Sequence, residues 1–227
     1  MIQRISPYLL LLLLTVIVSC SEEETYNTPS GLIYSYYPTN VGHEVLYDVS
    51  LITKDEFSGD EDTAIYQIKE VIESVFQDNQ GRPTQRLERY KRDTPNDPWI
   101  ITDVWTANMT TNRVEKSEDN IPYVKLVFPI TSSVTWNGNV LNTLDPQDYE
   151  YDNLHDPDFI GGINFDSTLT VLKLEFNDVF KTVYQVEKYA PGVGLIYRED
   201  IEINFKFPVS GIKSQRLYKE TIISWSN

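Results

Sequence analysis

Few residues in this chain have the type and spacing that covalent chemistry needs. There is one cysteine, Cys20, and there are two histidines, His43 and His155. A serine or cysteine nucleophile needs an imidazole or similar base within reach. The serines beside glycine, Ser30-Gly31 and Ser58-Gly59, lack the Gly-x-Ser-x-Gly pattern of a nucleophile elbow. An acyl-transfer triad is therefore disfavoured. For zinc, "HDPD" offers His155, Asp156 and Asp158, with no His-x-x-x-His or cysteine pair to complete a set. Calcium takes loop oxygens, and Ser58–Thr63 and Asp145–Asp158 each supply several, but neither has the twelve-residue calcium-loop spacing. Acidic runs of this kind are usually solvated. "GVGLIY" lacks the lysine and the strand-to-helix context of a phosphate cradle, so no cofactor is expected.

Binding chemistry is better represented. Arg86, Tyr90 and Arg92 fall on one face of a strand-like "RLERYKR", where they can grip an anion or pair with the chain's own carboxylates. Trp136, Tyr149, Tyr151 and His155 are further candidate contacts for a ligand or partner; aromatic rings can stack on sugar faces, although at strand spacing they more often build a core. Two carboxylates flanking one cleft would allow glycoside hydrolysis. With 34 acidic residues, pairs are inevitable, and their spacing along the chain does not decide the matter.

Cys20 has a more specific context. Met1–Ser19 carries Arg4, then the apolar run "YLLLLLLTVIV", then the small residue Ser19, which is the layout of a cleaved signal peptide. The apolar run is far shorter than the roughly 20 residues of a spanning helix. The "IVSC" that ends it resembles the lipobox of bacterial lipoproteins. That resemblance implies a thioether between the Cys20 thiol and diacylglycerol, cleavage before Cys20, and acylation of the new amino group with a palmitate-type chain. Three acyl chains at about 0.8 kcal/mol per CH₂ give on the order of 30 kcal/mol, a permanent anchor. The following Ser21-Glu22-Glu23-Glu24 is similar to the acidic export signal of surface lipoproteins in Bacteroidetes, and also reads as a solvated tether. Ser21 in place of Asp implies the outer membrane, with the domain facing the periplasm or the cell surface.

The formal net charge is −15, and loss of Arg4 with the signal makes the mature chain one unit more negative. A field of that sign repels nucleic acid. With Cys20 consumed, the domain has no disulfide, so the expectation is that apolar burial supplies its stability. The length after cleavage suits one domain.

The elements that would position any site are strands. In "LIYREDIEINFKF", Leu195, Tyr197, Ile201, Ile203, Phe205 and Phe207 share one side, and Arg198, Asp200, Glu202, Asn204 and Lys206 the other. Period two of that regularity excludes a helix. Further strands are expected over 43–51, 99–107, 111–116, 123–128, 168–176, 179–189 and 217–225. "AIYQIKEVIESVF" also fits helical spacing, but its β-branched content and the following "DNQG" favour a strand paired with "TQRLERYKR". Asp78–Pro83 and Asn137-Gly138 read as turns, the second as a tight hairpin with positive φ. Gly192 and Gly194 suit a turn or bulge. Asp145–Gly162, broken by Pro146, Pro157 and Gly161-Gly162, reads as a long acidic connection.

Together "YYPTNVGHEVLYDV", "QGRPTQRLERYKR", "VKLVFPITSSVTWNGN", "YEYDNLH", "FDSTLTV" and "YAPGVGLIYRE" resemble a family of uncharacterised Bacteroidetes outer-membrane lipoproteins. "Y-P-x-x-V-G" and "Y-A-x-G-V-G-L-I-Y" are also similar to β-rich envelope proteins that wrap a twisted sheet into a half-barrel. The resemblance brings no catalytic residue with it. The expected organisation is a signal peptide over 1–19, a lipidated cysteine and acidic tether over 20–36, and an all-β domain over 37–227. That domain would be a single antiparallel unit of about ten strands, an open barrel or strongly curved sheet with a concave apolar face. The expected role is a non-catalytic, membrane-anchored envelope protein that binds a partner protein or an apolar or glycan ligand. A carboxylate-dependent glycan hydrolase and a structural component of an envelope assembly are the alternatives.

Overall fold

The structure, a computed structural model, describes residues 31–227. The signal segment, Cys20 and the acidic run lie outside the described residues. A one-turn helix, α1 (Leu32–Ser35), precedes twelve strands: β1 (Glu44–Asp55), β2 (Asp60–Gln77), β3 (Pro83–Arg92), β4 (Ile100–Met109), β5 (Arg113–Glu118), β6 (Ile121–Val127), β7 (Thr135–Asn137), β8 (Asp148–Ile160), β9 (Ile163–Asn177), β10 (Lys181–Ala190), β11 (Gly194–Phe205) and β12 (Ile212–Ser226). All pair antiparallel in one sheet of order 6-5-4-3-2-1-12-11-10-9-8-7. The sheet curls until its two edge strands almost meet. At this seam the Val124 N–H donates to Gly138 O (2.9 Å), and Trp136 Nε1 donates to Val124 O (2.9 Å). The Tyr151 hydroxyl donates to Val127 O (2.6 Å) and accepts from Val127 N–H (2.9 Å). Closure of this kind hides sheet edges that would otherwise pair with other chains.

The ambiguous "AIYQIKEVIESVF" lies within β2, in register with β3 as its β-branched content implies. Two other expectations need correction. Asp148–Ile160 is a strand, not a connection; its register against β9 shifts three times, and bulges of this kind absorb residues such as Pro157. Asn137-Gly138 is not a tight hairpin either: β7 ends at Asn137 and the chain returns only at Asp148. The glycine is there for space. A Cβ on Gly138 would sit 2.2 Å from Tyr149 Cζ, so the ring packs directly on the backbone. By contrast the Asp78–Arg82 turn is as expected. Asp78 Oδ1 accepts from the Gln80 and Arg82 amides, and Gly81 takes φ 73°.

Antiparallel pairing sends odd-numbered strands away from the α1 end of the barrel, so the β5–β6, β7–β8 and β11–β12 turns lie at the distal end. The proximal end is closed by the entering chain. Tyr36 is fully buried, and its hydroxyl contacts His155 Nδ1 (2.8 Å) and Ser167 Oγ (2.9 Å). The Tyr34 hydroxyl donates to Thr111 O (3.0 Å), and Gly192 N–H donates to Ser35 O (2.8 Å). The folded body therefore begins before the expected Tyr37. The outer wall is water-facing, with charged residues at mid-strand positions such as Asp48, Lys69, Glu88, Glu199 and Lys219.

Candidate functional site

The concave face carries a charged network set within the apolar surface the sequence suggested. Residues directly opposite in an antiparallel pair share a face. The register aligns Glu187 with Arg198, and Arg198 with Glu220; on the other flank Glu70 faces Arg89. These side chains point into the lumen. There five cations (Arg89, Lys116, Lys125, Lys173, Arg198) meet five anions (Glu70, Glu118, Glu187, Asp200, Glu220), linked by ion pairs of 2.6–4.0 Å. Several pairs span the barrel between strands distant in the sheet: Lys125 to Glu187 at 2.6 Å joins β6 to β10, and Arg198 to Glu118 at 3.6 Å joins β11 to β5. Eight strands already leave a lumen that ordinary side chains fill, so twelve need longer ones. Lys, Arg, Glu, Tyr and Trp have that reach, and the charge pairing offsets part of the cost of burying them.

Apolar packing surrounds this network. Ile72, Leu87, Trp105, Val114, Leu126, Leu169 and Val171 form one cluster with Tyr36 and Tyr37. Val45, Tyr47, Val49, Ile196 and Ile222 belong to a second. Trp105 joins the two regimes, with the Arg89 guanidinium 4.0 Å and the Lys116 ammonium 5.0 Å from its ring centroid. Buried tyrosines supply neutral donors to the carboxylates, Tyr189 to Glu187 (2.7 Å) and Tyr218 to Glu220 (3.0 Å). Burial, reinforced by the adjacent carboxylates, raises both phenols above their usual range, so they stay protonated.

The electrostatics follow from the pairing. Glu118 and Glu187 lose hydration on burial, which alone would raise them, but Lys125, Arg198 and further cations overcome that. Glu118 is held at about 2, and Glu187 well below the usual carboxylate range. Lys125 is raised because Glu118 and Glu187 outweigh its desolvation. Lys173 is lowered, since desolvation outweighs its ion pair with Glu187 at 3.3 Å. Held ionised in this way, Glu118 and Glu187 do not suit the general-acid role in glycoside hydrolysis.

The lumen's inner cavity, between Tyr37, Glu70, Arg89, Lys116 and Glu187, has ≈ 40 Å³ for the centres of water-sized molecules. That suits a few waters and nothing larger. A second space of ≈ 170 Å³ adjoins it at the distal end, beneath the β7–β8 loop. Glu118, Lys125, Lys173, Arg198 and Asp200 reach it from the lumen; Tyr123, Tyr149, Gln147 and Gln185 complete its wall, and Asn139 and Leu144 come from the loop. Asn137 and Asn139 hold that loop. Asn137 Oδ1 accepts from the Asn139 and Gln147 amides (2.9 and 3.1 Å), and Asn139 Nδ2 donates to Asp145 O (2.7 Å).

Of the candidate residues read from sequence, Tyr149 alone lines this distal pocket. Trp136 packs against the Tyr149 and Tyr151 rings (centroids 5.9 and 4.7 Å apart) and serves the seam with Tyr151. His155 meets the Tyr36 hydroxyl at the other end. Arg86, Tyr90 and Arg92 lie on the outer wall and are committed to neighbours: Arg86 to Glu73 and Glu88, Tyr90 to Glu88, Arg92 to Gln67 and the Trp99 ring. The "SGDEDT" acids belong to the β1–β2 turn and the start of β2, where Glu61 pairs with Lys54. Among the described residues, no group of three or more His, Cys, Asp or Glu side chains could hold a metal ion. The lumen residues Lys173, Glu187, Arg198 and Asp200 were not singled out. For Arg198 and Asp200 the signal was the charged side of "LIYREDIEINFKF"; Lys173 and Glu187 lie in β9 and β10, outside that stretch.

No protein-family model and no curated protein matches the chain. Among solved structures, the chain is similar to a protein from Parabacteroides distasonis ATCC 8503 that carries a provisional lipoprotein name. The identity is 11% and the TM-score 0.46, over 86% of this chain and 99% of that one.

Proposed function

We propose that this protein is a lipid-anchored component of the bacterial cell envelope, fixed to the outer membrane through acylated Cys20, that works by binding and not by turnover. The observation that carries this reading is the opposition of the barrel's two ends. The chain enters from the N-terminal side at the proximal end, which Tyr36 closes, while the polar pocket beneath the β7–β8 loop faces away from that entry. An anchor upstream of residue 31 would therefore present the pocket outward. The lumen between the ends is locked by ion pairs, which suits a rigid stand and excludes a conduit.

Metabolic labelling with an alkyne palmitate analogue tests the anchor. The mature chain should take the label and stay with outer-membrane fractions. Cys20→Ser should lose the label and leave the membrane. An unlabelled chain that washes off cells would overturn the reading.

A further inference from the structure

We infer that the distal pocket is a binding site for a small, uncharged, hydroxyl-rich ligand, a sugar ring in particular. The inference rests on the binding role proposed above but not on the lipid anchor. Its starting point is the way Asp200 is held. Arg198 approaches a single carboxylate oxygen with two nitrogens: Nε lies 2.8 Å and Nη2 2.7 Å from Oδ2. A guanidinium and a carboxylate usually pair oxygen for nitrogen in a two-pronged fork. Here the other oxygen, Oδ1, is left buried with no partner among the described residues, and Asp200 lines the pocket. A buried acceptor of this kind is costly unless a donor reaches it.

The rest of the wall narrows the class of donor. Among the described residues Lys173 has Glu187 as its one ion-pair partner, so its ammonium keeps hydrogens to give. Gln147 donates its amide to Gln185 Oε1 (2.8 Å) and to Lys173 O (3.1 Å), which leaves Gln147 Oε1 to accept and Gln185 Nε2 to donate. Tyr123 and Tyr149 add phenol groups. The pocket therefore offers acceptors and donors side by side, and a hydroxyl group, which both gives and accepts a hydrogen bond, satisfies both at once. Charge then excludes ions. Three cations (Lys125, Lys173, Arg198) and two anions (Glu118, Asp200) line the site, and Glu187, paired with Lys125 and Lys173 behind the wall, brings the sum to zero. A charged guest would leave a net charge in a desolvated wall, which is expensive. The volume of ≈ 170 Å³ far exceeds what one or two waters need and is on the scale of a single ring.

The test is titration of the full-length chain in detergent with methyl α-glucoside, methyl β-galactoside and N-acetylglucosamine, followed by calorimetry, with inorganic phosphate and glycine betaine as charged and zwitterionic probes. Saturable binding of at least one sugar, unmatched by phosphate or betaine, is expected. Asp200→Asn should weaken it by about tenfold or more, the worth of one hydrogen bond to a charged group. Because Asp200→Asn also disturbs Arg198, Leu144→Trp provides the second variant. Leu144 sits half-exposed on the loop at the rim, and a bulkier ring there should block binding while the melting temperature stays at the wild-type value. Tighter binding of phosphate or betaine, equal sugar binding by Leu144→Trp, or no saturable sugar binding by a chain that still labels with palmitate would each overturn the assignment. The last of these would leave the anchored-binder reading standing.

Discussion

Replacing Glu187 by glutamine removes the carboxylate on which the lumen network converges. Glu187 is 1% exposed and contacts Lys125 (2.6 Å), Lys173 (3.3 Å) and the Tyr189 hydroxyl (2.7 Å). At an effective dielectric of about 20, the two ion pairs represent gross attractions of about 6 and about 5 kcal/mol. Most of this offsets desolvation, and Lys125 keeps Glu118 at 3.1 Å. Among the described residues Lys173 keeps no ion-pair partner. Breaking a buried pair from one side costs about 3–5 kcal/mol, which for a domain of this size lowers the melting temperature by about 6–20 °C. The loss should also depend on pH. An unpaired Lys173 ammonium has a folded pKa below its unfolded one, so the unfolded chain binds more protons between the two values. The deficit is then largest near neutral pH and shrinks as pH rises through the folded pKa of Lys173 toward the unfolded value. Removing both charges in Glu187→Gln/Lys173→Met should recover at least half of the lost stability, as a double-mutant cycle in urea would measure. A single variant within about 1 kcal/mol of wild type would refute the view that this network is desolvated and holds the barrel together.

Four further outcomes follow from the same geometry. Glu118 is lowered from 4.5 to about 2, so its pairing stabilises the fold above about pH 4.5 and is lost as pH falls toward 2; about 3 kcal/mol should disappear over that window in acid-unfolding curves, and Glu118→Gln should flatten it. Gly138→Ala forces the Tyr149 ring off the backbone at the seam and should cost about 1–3 kcal/mol in chemical denaturation. Tyr36→Phe removes the hydroxyl shared by His155 and Ser167 and should cost about 1 kcal/mol, with faster amide exchange around residues 31–37. Arg86→Ala, on the outer wall, should change stability by less than about 0.5 kcal/mol, because its pairs with Glu73 and Glu88 are solvated.

Strand positions were legible because period two survives wherever one face is uniform. β11 alternates without a break through Ile201, Glu202, Ile203 and Asn204, and β1 nearly so. Two devices hid the rest. In β8, bulges and Pro157 disrupt the alternation, so a strand paired for most of its length on one side alone looks like a connection. At Gly138 the residue type signals a turn, whereas the physical demand is the approach of Tyr149, an aromatic neighbour eleven positions away in the chain. Sequence reading carries turn chemistry well and contact across a seam poorly.

The deeper difficulty was which face of the sheet points inward. Period two says that Arg198 and Asp200 share a side opposite Tyr197, Ile201 and Ile203, but it is silent on the direction of the lumen. The usual rule buries the apolar side, and β11 does the reverse: Asp200 is buried, while Tyr197 lies on the outer wall beneath the Lys219 ammonium, 5.4 Å from its ring centroid. Charge counting resolves the paradox. A chain with 34 acids and 19 bases has few cations to give away, yet the lumen claims five of them for five acids, and the acidic excess is left to the surface. An interior whose charged groups sum to zero, and whose distal pocket is walled mostly by polar side chains, is a poor place for a lipid tail. It is a good place for a molecule that is itself uncharged and covered in hydroxyls. The inverted strand is thus both what misleads a reading by hydropathy and what gives the distal pocket its chemistry.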